Sequence, residues 1–123
     1  MPGRILVVED ELLIQMLATD YLEDAGFKVD TASSATEALN KLALVPGGVD
    51  AVIIDFGLPD RKGDVLVREI RAMYPSLRVV IATGQGQADM RNLFKTESQI
   101  AFVSKPYSSN HLLAALRTLG ISC

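Results

Sequence analysis

The period of the apolar positions changes repeatedly along the chain, and the changes mark out ten elements. Arg4–Val8 is a short, unbroken apolar run that stops at Glu9-Asp10-Glu11. From Glu11 to Ala25 the period is helical. Leu13, Met16, Leu17 and Leu22 make one apolar stripe, Gln15, Thr19, Glu23 and Asp24 fall off it, and Gly26 stands where a C-cap belongs. Phe27–Thr31 alternates as a short strand. Ser34-Ala35-Thr36-Glu37 is a capping box that opens a helix to about Leu44, broken by Val45-Pro46-Gly47-Gly48. Asp50–Ile54 is a second continuous strand, ending at Asp55, and a loop with Gly57, Pro59 and Gly63 follows. Asp64–Met73 reads as a helix ended by Tyr74-Pro75, because the residue before proline is pushed out of the helical region. Leu77–Ala82 is a strand, Gln87–Thr96 a weaker and more polar helix, and Ile100–Val103 a strand. Ser108 or Ser109 caps a last helix that Gly120 closes near Leu119.

Five strands thus alternate with five helices. Apolar runs without polar alternation indicate strands covered on both faces, hence a parallel sheet. Right-handed crossovers then give a doubly wound, three-layer α/β sandwich. The 123 residues suit one domain, expected to fill 1–123 with no second domain in the chain. A composition 49% hydrophobic and 22% charged excludes a disordered tail or a coiled coil. The apolar runs are far shorter than the roughly 18 residues of a membrane span. A net charge of −3 argues against direct nucleic-acid binding. Met1-Pro2-Gly3-Arg4 lacks the apolar core of a signal peptide, and the single cysteine, Cys123, allows no disulfide framework; a cytoplasmic protein without membrane contact is expected.

In open α/β sheets ligands bind beyond the carboxyl ends of the strands. The residues expected there are Glu9 and Asp10 after the first strand, Asp55 after the third, Thr83 after the fourth, and Ser104, Lys105 and Pro106 after the fifth. Each has an ordinary explanation alone: Asp10 as a helix cap, Glu9 as a solvated loop residue, Asp55 in an Asx turn, Thr83 at a strand end, Lys105 as a surface charge. Together they are harder to dismiss. Three carboxylates on one rim repel unless a cation neutralises them, and a few hard oxygens completed by water suit Mg²⁺. A carboxylate beside Mg²⁺ is a nucleophile toward a phosphoryl group and gives an acyl phosphate. The charge spread over the three equatorial oxygens of the transfer would be met by the cation, by Lys105, and by the Thr83 hydroxyl with loop amides.

These pieces resemble the CheY-like receiver domains of two-component signalling. The matching segments are Ile5-Leu6-Val7-Val8-Glu9-Asp10-Glu11, Asp55-Phe56-Gly57-Leu58-Pro59 with Gly63 eight residues past the aspartate, Ala82-Thr83-Gly84, and Phe102-Val103-Ser104-Lys105-Pro106. The resemblance covers nearly the whole chain and implies a flavodoxin-like sheet of order 2-1-3-4-5. It implies Asp55 as phosphoacceptor, and Glu9, Asp10, Asp55 and the Gly57 backbone carbonyl as ligands of Mg²⁺, for which Mn²⁺ could substitute. Lys105 and Thr83 become the phosphoryl-binding residues, Thr83 and Phe102 the switch pair, and Lys105–Pro106 a cis peptide. Phe102 stands where tyrosine is common. The implied role is a phosphoacceptor that assists its own phosphorylation and dephosphorylation rather than an enzyme. Its partners would be a histidine kinase or histidine phosphotransfer protein, and a downstream protein reading the fourth helix, fifth strand and fifth helix, roughly Gln87–Leu119. The family's habit of dimerising through that face raises the same expectation here.

Ile81-Ala82-Thr83-Gly84 also resembles the Ala-Thr-Gly signature of receivers found as single domains or on hybrid histidine kinases, although Arg78 stands where that group favours proline. A receiver cut from a longer hybrid kinase or regulator is therefore an alternative. So is a docking module that is never phosphorylated, against which the complete set Glu9, Asp10, Asp55, Thr83 and Lys105 argues. A flavin carrier would need a phosphate-binding loop where Glu9-Asp10-Glu11 would repel phosphate. Asp55-Phe56-Gly57 spells a kinase motif in a chain too short for a kinase. Gly84-Gln85-Gly86 fails as a dinucleotide fingerprint because position 89 is Asp. His111, the only histidine, is expected on the surface of the last helix.

In receivers the residues two past the phosphoacceptor and two past the threonine, here Gly57 and Gln85, tune hydrolysis of the acyl phosphate. Gly57 leaves the path of the attacking water open, so Gly57→Arg is expected to change the lifetime of the phosphorylated form. Equal dephosphorylation rates for the two proteins would refute this.

Overall fold

A computed structural model describes residues 3–45, 47–84, 87–95 and 97–121; Pro46, Gln85, Thr96 and Cys123 lie outside the described residues. The elements are β1 (Arg4–Val8), α1 (Leu12–Asp24), β2 (Lys28–Ala32), α2 (Ala35–Leu44), β3 (Ala51–Asp55), α3 (Gly63–Met73), β4 (Arg78–Thr83), α4 (Gln87–Leu93), β5 (Ile100–Ser104) and α5 (Ser109–Thr118). The strands form one sheet of order β2-β1-β3-β4-β5, every neighbour parallel. The expected α/β architecture and strand order are both present.

Strand periodicity separates the two faces. Leu6, Val8, Val52, Ile54, Val79 and Ile81 point to a core closed by α2 and α3 together with Phe94. Ile5, Val7, Ile53, Val80 and Val103 point the other way, to a core closed by α1 and α5. Successive strand residues alternate between faces, so a run apolar at every position is what two covered faces demand.

Helix ends follow the local chemistry. Ser34 Oγ accepts from Glu37 N at 3.1 Å at the start of α2, and Ser108, not Ser109, caps α5 by accepting from His111 N at 3.2 Å. Gly26, at φ +99°, ends α1 in the left-handed conformation, with Phe27 N donating to Leu22 O at 3.0 Å.

Three readings are corrected. Strands β3, β4 and β5 each run one residue further than their apolar pattern, so Asp55, Thr83 and Ser104 are the last paired residues rather than the first beyond the sheet. A ladder uses backbone groups and is indifferent to a polar side chain at its end. Helix α4 stops at Leu93, where the bonding tightens (Lys95 N donates to Asn92 O at 3.4 Å) and Phe94 turns into the core.

The third correction concerns α1. Of the expected stripe only Leu22 is buried; Leu13, Met16 and Leu17 are exposed, and the inner face is Gln15, Ala18 and Leu22. The buried Gln15 amide donates to Glu9 O at 2.9 Å, with Ala32 O and Ser33 Oγ at 3.4 Å. Carbonyls where strands end need donors, and a leucine at position 15 would take this one from Glu9 O, while Ala32 O would keep the Glu9 amide at 2.9 Å. Periodicity counts apolar area and is blind to that demand.

Leu22→Ala should cost about 3 kcal/mol in chemical denaturation, as for a filled core site. Leu13→Ala should cost no more than about 0.5 kcal/mol. A comparable cost at both positions would restore the stripe read from the sequence.

Candidate functional site

The carboxyl ends of β1, β3, β4 and β5 bring the expected residues to one rim. Glu9, Asp55 and Thr83 are buried, at 2%, 7% and 2% exposure, while Asp10 is exposed. Carboxylate oxygens of Glu9, Asp10 and Asp55 lie within 4.8 Å of one another. Asp10 does not cap α1: the N-cap is Glu11, and it makes no side-chain cap bond. Lys105 reaches into the group, its Nζ 2.9 Å from Glu9 Oε1, 3.3 Å from Asp55 Oδ1 and 3.8 Å from Glu11 Oε1. Asp55 Oδ1 also accepts from Gly57 N at 3.2 Å.

Backbone pairing fixes these positions. Phe56 N donates to Ala82 O at 2.9 Å, and Lys105 N to Thr83 O at 2.8 Å, so the site residues of β3, β4 and β5 sit on one continuous ladder. The Lys105–Pro106 peptide is cis.

One ammonium faces several carboxylates, and the electrostatics reflect it. Burial, followed by the neighbouring Asp55, pushes the Glu9 carboxyl up to about 7 against the pull of Lys105. Burial pulls the Lys105 ammonium down, but its bond to Glu9 and the charges of Asp55 and Glu9 outweigh that and hold it above the ordinary lysine value. Three convergent oxygen donors with an excess of negative charge are a donor set that fits a hard divalent cation.

Above Asp55 lies a cavity of about 310 Å³ lined by Asp55, Phe56, Gly57, Thr83, Gly84 and Lys105. Its mouth is open: a Cβ on Gly57 would meet only Asp55 Oδ1, at 3.9 Å, and one on Gly84 would meet nothing within 4 Å. A second cavity, of about 380 Å³ between Leu42, Val49, Met73 and Tyr74, borders the opposite end of the sheet, at Asp50 and Arg78, and contains none of the clustered carboxylates.

Phe102 is half-buried, its ring 5.9 Å from Phe94, which meets Phe56 edge-on at 6.4 Å. A row of three rings therefore joins β5 to the residue after Asp55. His111 is exposed, on the first turn of α5. It borders a groove with Arg91 and Phe102.

Residues 5–117 match the family described as response regulator receiver domain. The chain belongs to that family. The receiver is 28% identical over 117 residues to the sensor kinase CckA of Brucella abortus, covering 95% of this chain and 12% of the kinase. It is 34% identical over 120 residues to the virulence transcriptional regulatory protein PhoP of Salmonella typhimurium, covering 94% of this chain and 51% of the regulator. It therefore spans about half or less of these curated relatives. A receiver domain protein from Clostridium thermocellum superposes with a TM-score of 0.87 at 33% identity, over 95% of this chain and 93% of that one. Receiver domains are phosphoacceptors rather than enzymes in the usual sense. Among the described residues, no helix is long and apolar enough to cross a membrane.

Several features of this receiver escaped the sequence reading: the link through Phe94, the exposed apolar face of α1, and Tyr107, whose phenol burial pushes up to about 12 beside the Glu9 carboxylate. Asp60 escaped it too. Bonds from the Ala35 and Thr36 amides hold this exposed carboxyl below the usual aspartate value. Only Tyr107, one residue past the Lys105-Pro106 motif, had a local signal.

An acid whose folded pKa is raised stabilises the fold below its unfolded value, near 4.5, and loses that contribution as pH rises through about 7. In EDTA, the wild type should therefore lose stability relative to Glu9→Gln as pH is raised across that window. Thermal melts of both proteins test this, and a pH-independent difference counts against it.

Proposed function

We propose that Asp55 accepts a phosphoryl group from a phosphohistidine on a histidine kinase or histidine phosphotransfer protein, and that the chain acts as one receiver domain over 1–123. The observation that carries this reading is the placement of Lys105 between the buried carboxylates of Glu9 and Asp55, beneath an open cavity. Mg²⁺, or Mn²⁺ in its place, held by Glu9, Asp10, Asp55 and the Gly57 carbonyl, supplies positive charge against the phosphoryl oxygens when bound. An Asp55 carboxylate oxygen attacks phosphorus, the bond from phosphorus to the donor imidazole nitrogen breaks, and the imidazole leaves with that electron pair. Lys105 exchanges its contact with Asp55 for a phosphoryl oxygen, and Thr83 donates its hydroxyl to another. With no side chain at Gly57, water reaches the acyl phosphate for its hydrolysis, so the domain also assists its own dephosphorylation.

Movement of Thr83 frees space for Phe102, and the Phe56–Phe94–Phe102 row supports coupling to the α4-β5-α5 face, the surface for a downstream partner or a second copy. The exposed side chains of Leu12, Leu13, Met16 and Leu17 lie on α1, directly after Glu9 and Asp10. No lysine or arginine interrupts α1, and Glu11, Asp20 and Glu23 flank the patch. A donor protein covering it would present apolar side chains with a basic rim while reaching Asp55.

The test is intact-protein mass after incubation with acetyl phosphate, with and without Mg²⁺. The expected result is a Mg²⁺-dependent gain of one phosphoryl group in the wild type and none in Asp55→Asn. No gain in the wild type, under conditions that label a control receiver, favours the phosphorylation-independent docking module.

A further inference from the structure

The loop between β3 and α3 carries Gly57, whose carbonyl belongs to the proposed metal set. Gly57 has no side chain to anchor it and open space around its Cα; its one hold of its own is its amide, which donates to Asp55 Oδ1 at 3.2 Å. The loop is fixed by its neighbours. At its base, Phe56 N donates to Ala82 O at 2.9 Å and Gly63 N to Phe56 O at 3.1 Å; Leu58 is buried in the core. Past Pro59, Asp60 leaves the loop altogether and bonds to the start of α2. Its Oδ1 accepts from Ala35 N at 3.0 Å, and its Oδ2 from Thr36 N at 3.1 Å and Thr36 Oγ1 at 3.2 Å.

A helix end needs acceptors for its first amides, and α2 has its own in Ser34, which takes Glu37 N at 3.1 Å. Asp60 takes the two amides Ser34 leaves and so ties two segments 24 to 25 residues apart. Its charge favours the same place, because the helix dipole is positive there. The loop from Asp55 to Asp60 is thereby pinned at both ends, with Gly57 between the pins.

We propose that Asp60 is a positioning residue for the phosphoacceptor site: it holds the β3–α3 loop against α2 so that the Gly57 carbonyl is presented to the divalent cation. This rests on the metal set proposed above. Outer groups that orient a ligand of a metal are worth about tenfold or more in affinity.

The experiment is Mn²⁺ binding to the full chain, followed by electron paramagnetic resonance, for wild type, Asp60→Ala, Asp60→Asn and Ser34→Ala. Asp60→Ala should weaken Mn²⁺ binding about tenfold. Asp60→Asn keeps one acceptor oxygen and should fall between Asp60→Ala and wild type. Ser34→Ala removes a cap of α2 without touching the loop, so it should lower the melting temperature and leave Mn²⁺ affinity unchanged. The Mg²⁺ concentration for half-maximal labelling by acetyl phosphate should follow the same order, with the maximal rate recovered at saturating Mg²⁺. Wild-type affinity in Asp60→Ala overturns the proposal. So does equal weakening in Ser34→Ala, which would leave Asp60 as a helix cap and nothing more. A wild type that binds no Mn²⁺ and takes no phosphoryl group overturns the phosphoacceptor reading itself, and this inference with it. Should Asp60→Ala fail to fold, Asp60→Asn against Ser34→Ala decides the same question.

Discussion

A single ammonium holds the carboxyl end of this sheet together. Lys105 lies within ion-pair distance of Glu9 and Asp55, both almost wholly removed from solvent. Two buried carboxylates at such range cannot both carry full charge without a cation between them. Lys105 covers part of the deficit, but the carboxylates of Glu9, Asp10 and Asp55 outnumber it. The site is under-neutralised by construction. That residual negative charge is what the proposed divalent cation would meet.

Such a site needs stiff walls, and the fold provides them through backbone hydrogen bonds more than through side-chain packing. Asp55 and Thr83 end their strands still paired in the sheet, so their side chains start from rigid positions. The loops beyond the strands are held by polar side chains from elsewhere in the chain. Gln15 reaches back from α1 to the Glu9 carbonyl, and Asp60 reaches across from the β3–α3 loop to α2. Both satisfy backbone groups that strand and helix ends leave over.

The parts legible in the sequence were those governed by local rules. Unbroken apolar runs marked four strands and their parallel pairing, alternation marked the second, a capping box, glycines and proline marked helix ends, and strand-end carboxylates with Lys105 marked the rim. What could not be read is non-local. Nothing around position 15 announces that a glutamine belongs inside while Leu13, Met16 and Leu17 face water, because the deciding partners, Glu9 O and Ala32 O, belong to the ends of β1 and β2. Asp60 reads as an ordinary loop residue until α2 is seen beside it. The one-residue extension of three strands has the same origin: pairing is a property of two strands side by side, and hydrophobic pattern describes only one.

Helix α4 spans Gln87–Leu93, two turns, too short to persist on its own. Met90 and Phe94 are buried and fasten this segment to the domain. Among the described side chains from Met90 to Lys95 these two are the buried ones, and Arg91, Asn92, Leu93 and Lys95 face solvent. Under the proposed switching of the α4-β5-α5 face, packing around Met90 and Phe94 would set how readily this helix gives way, and with it how far the unphosphorylated domain resembles the phosphorylated one.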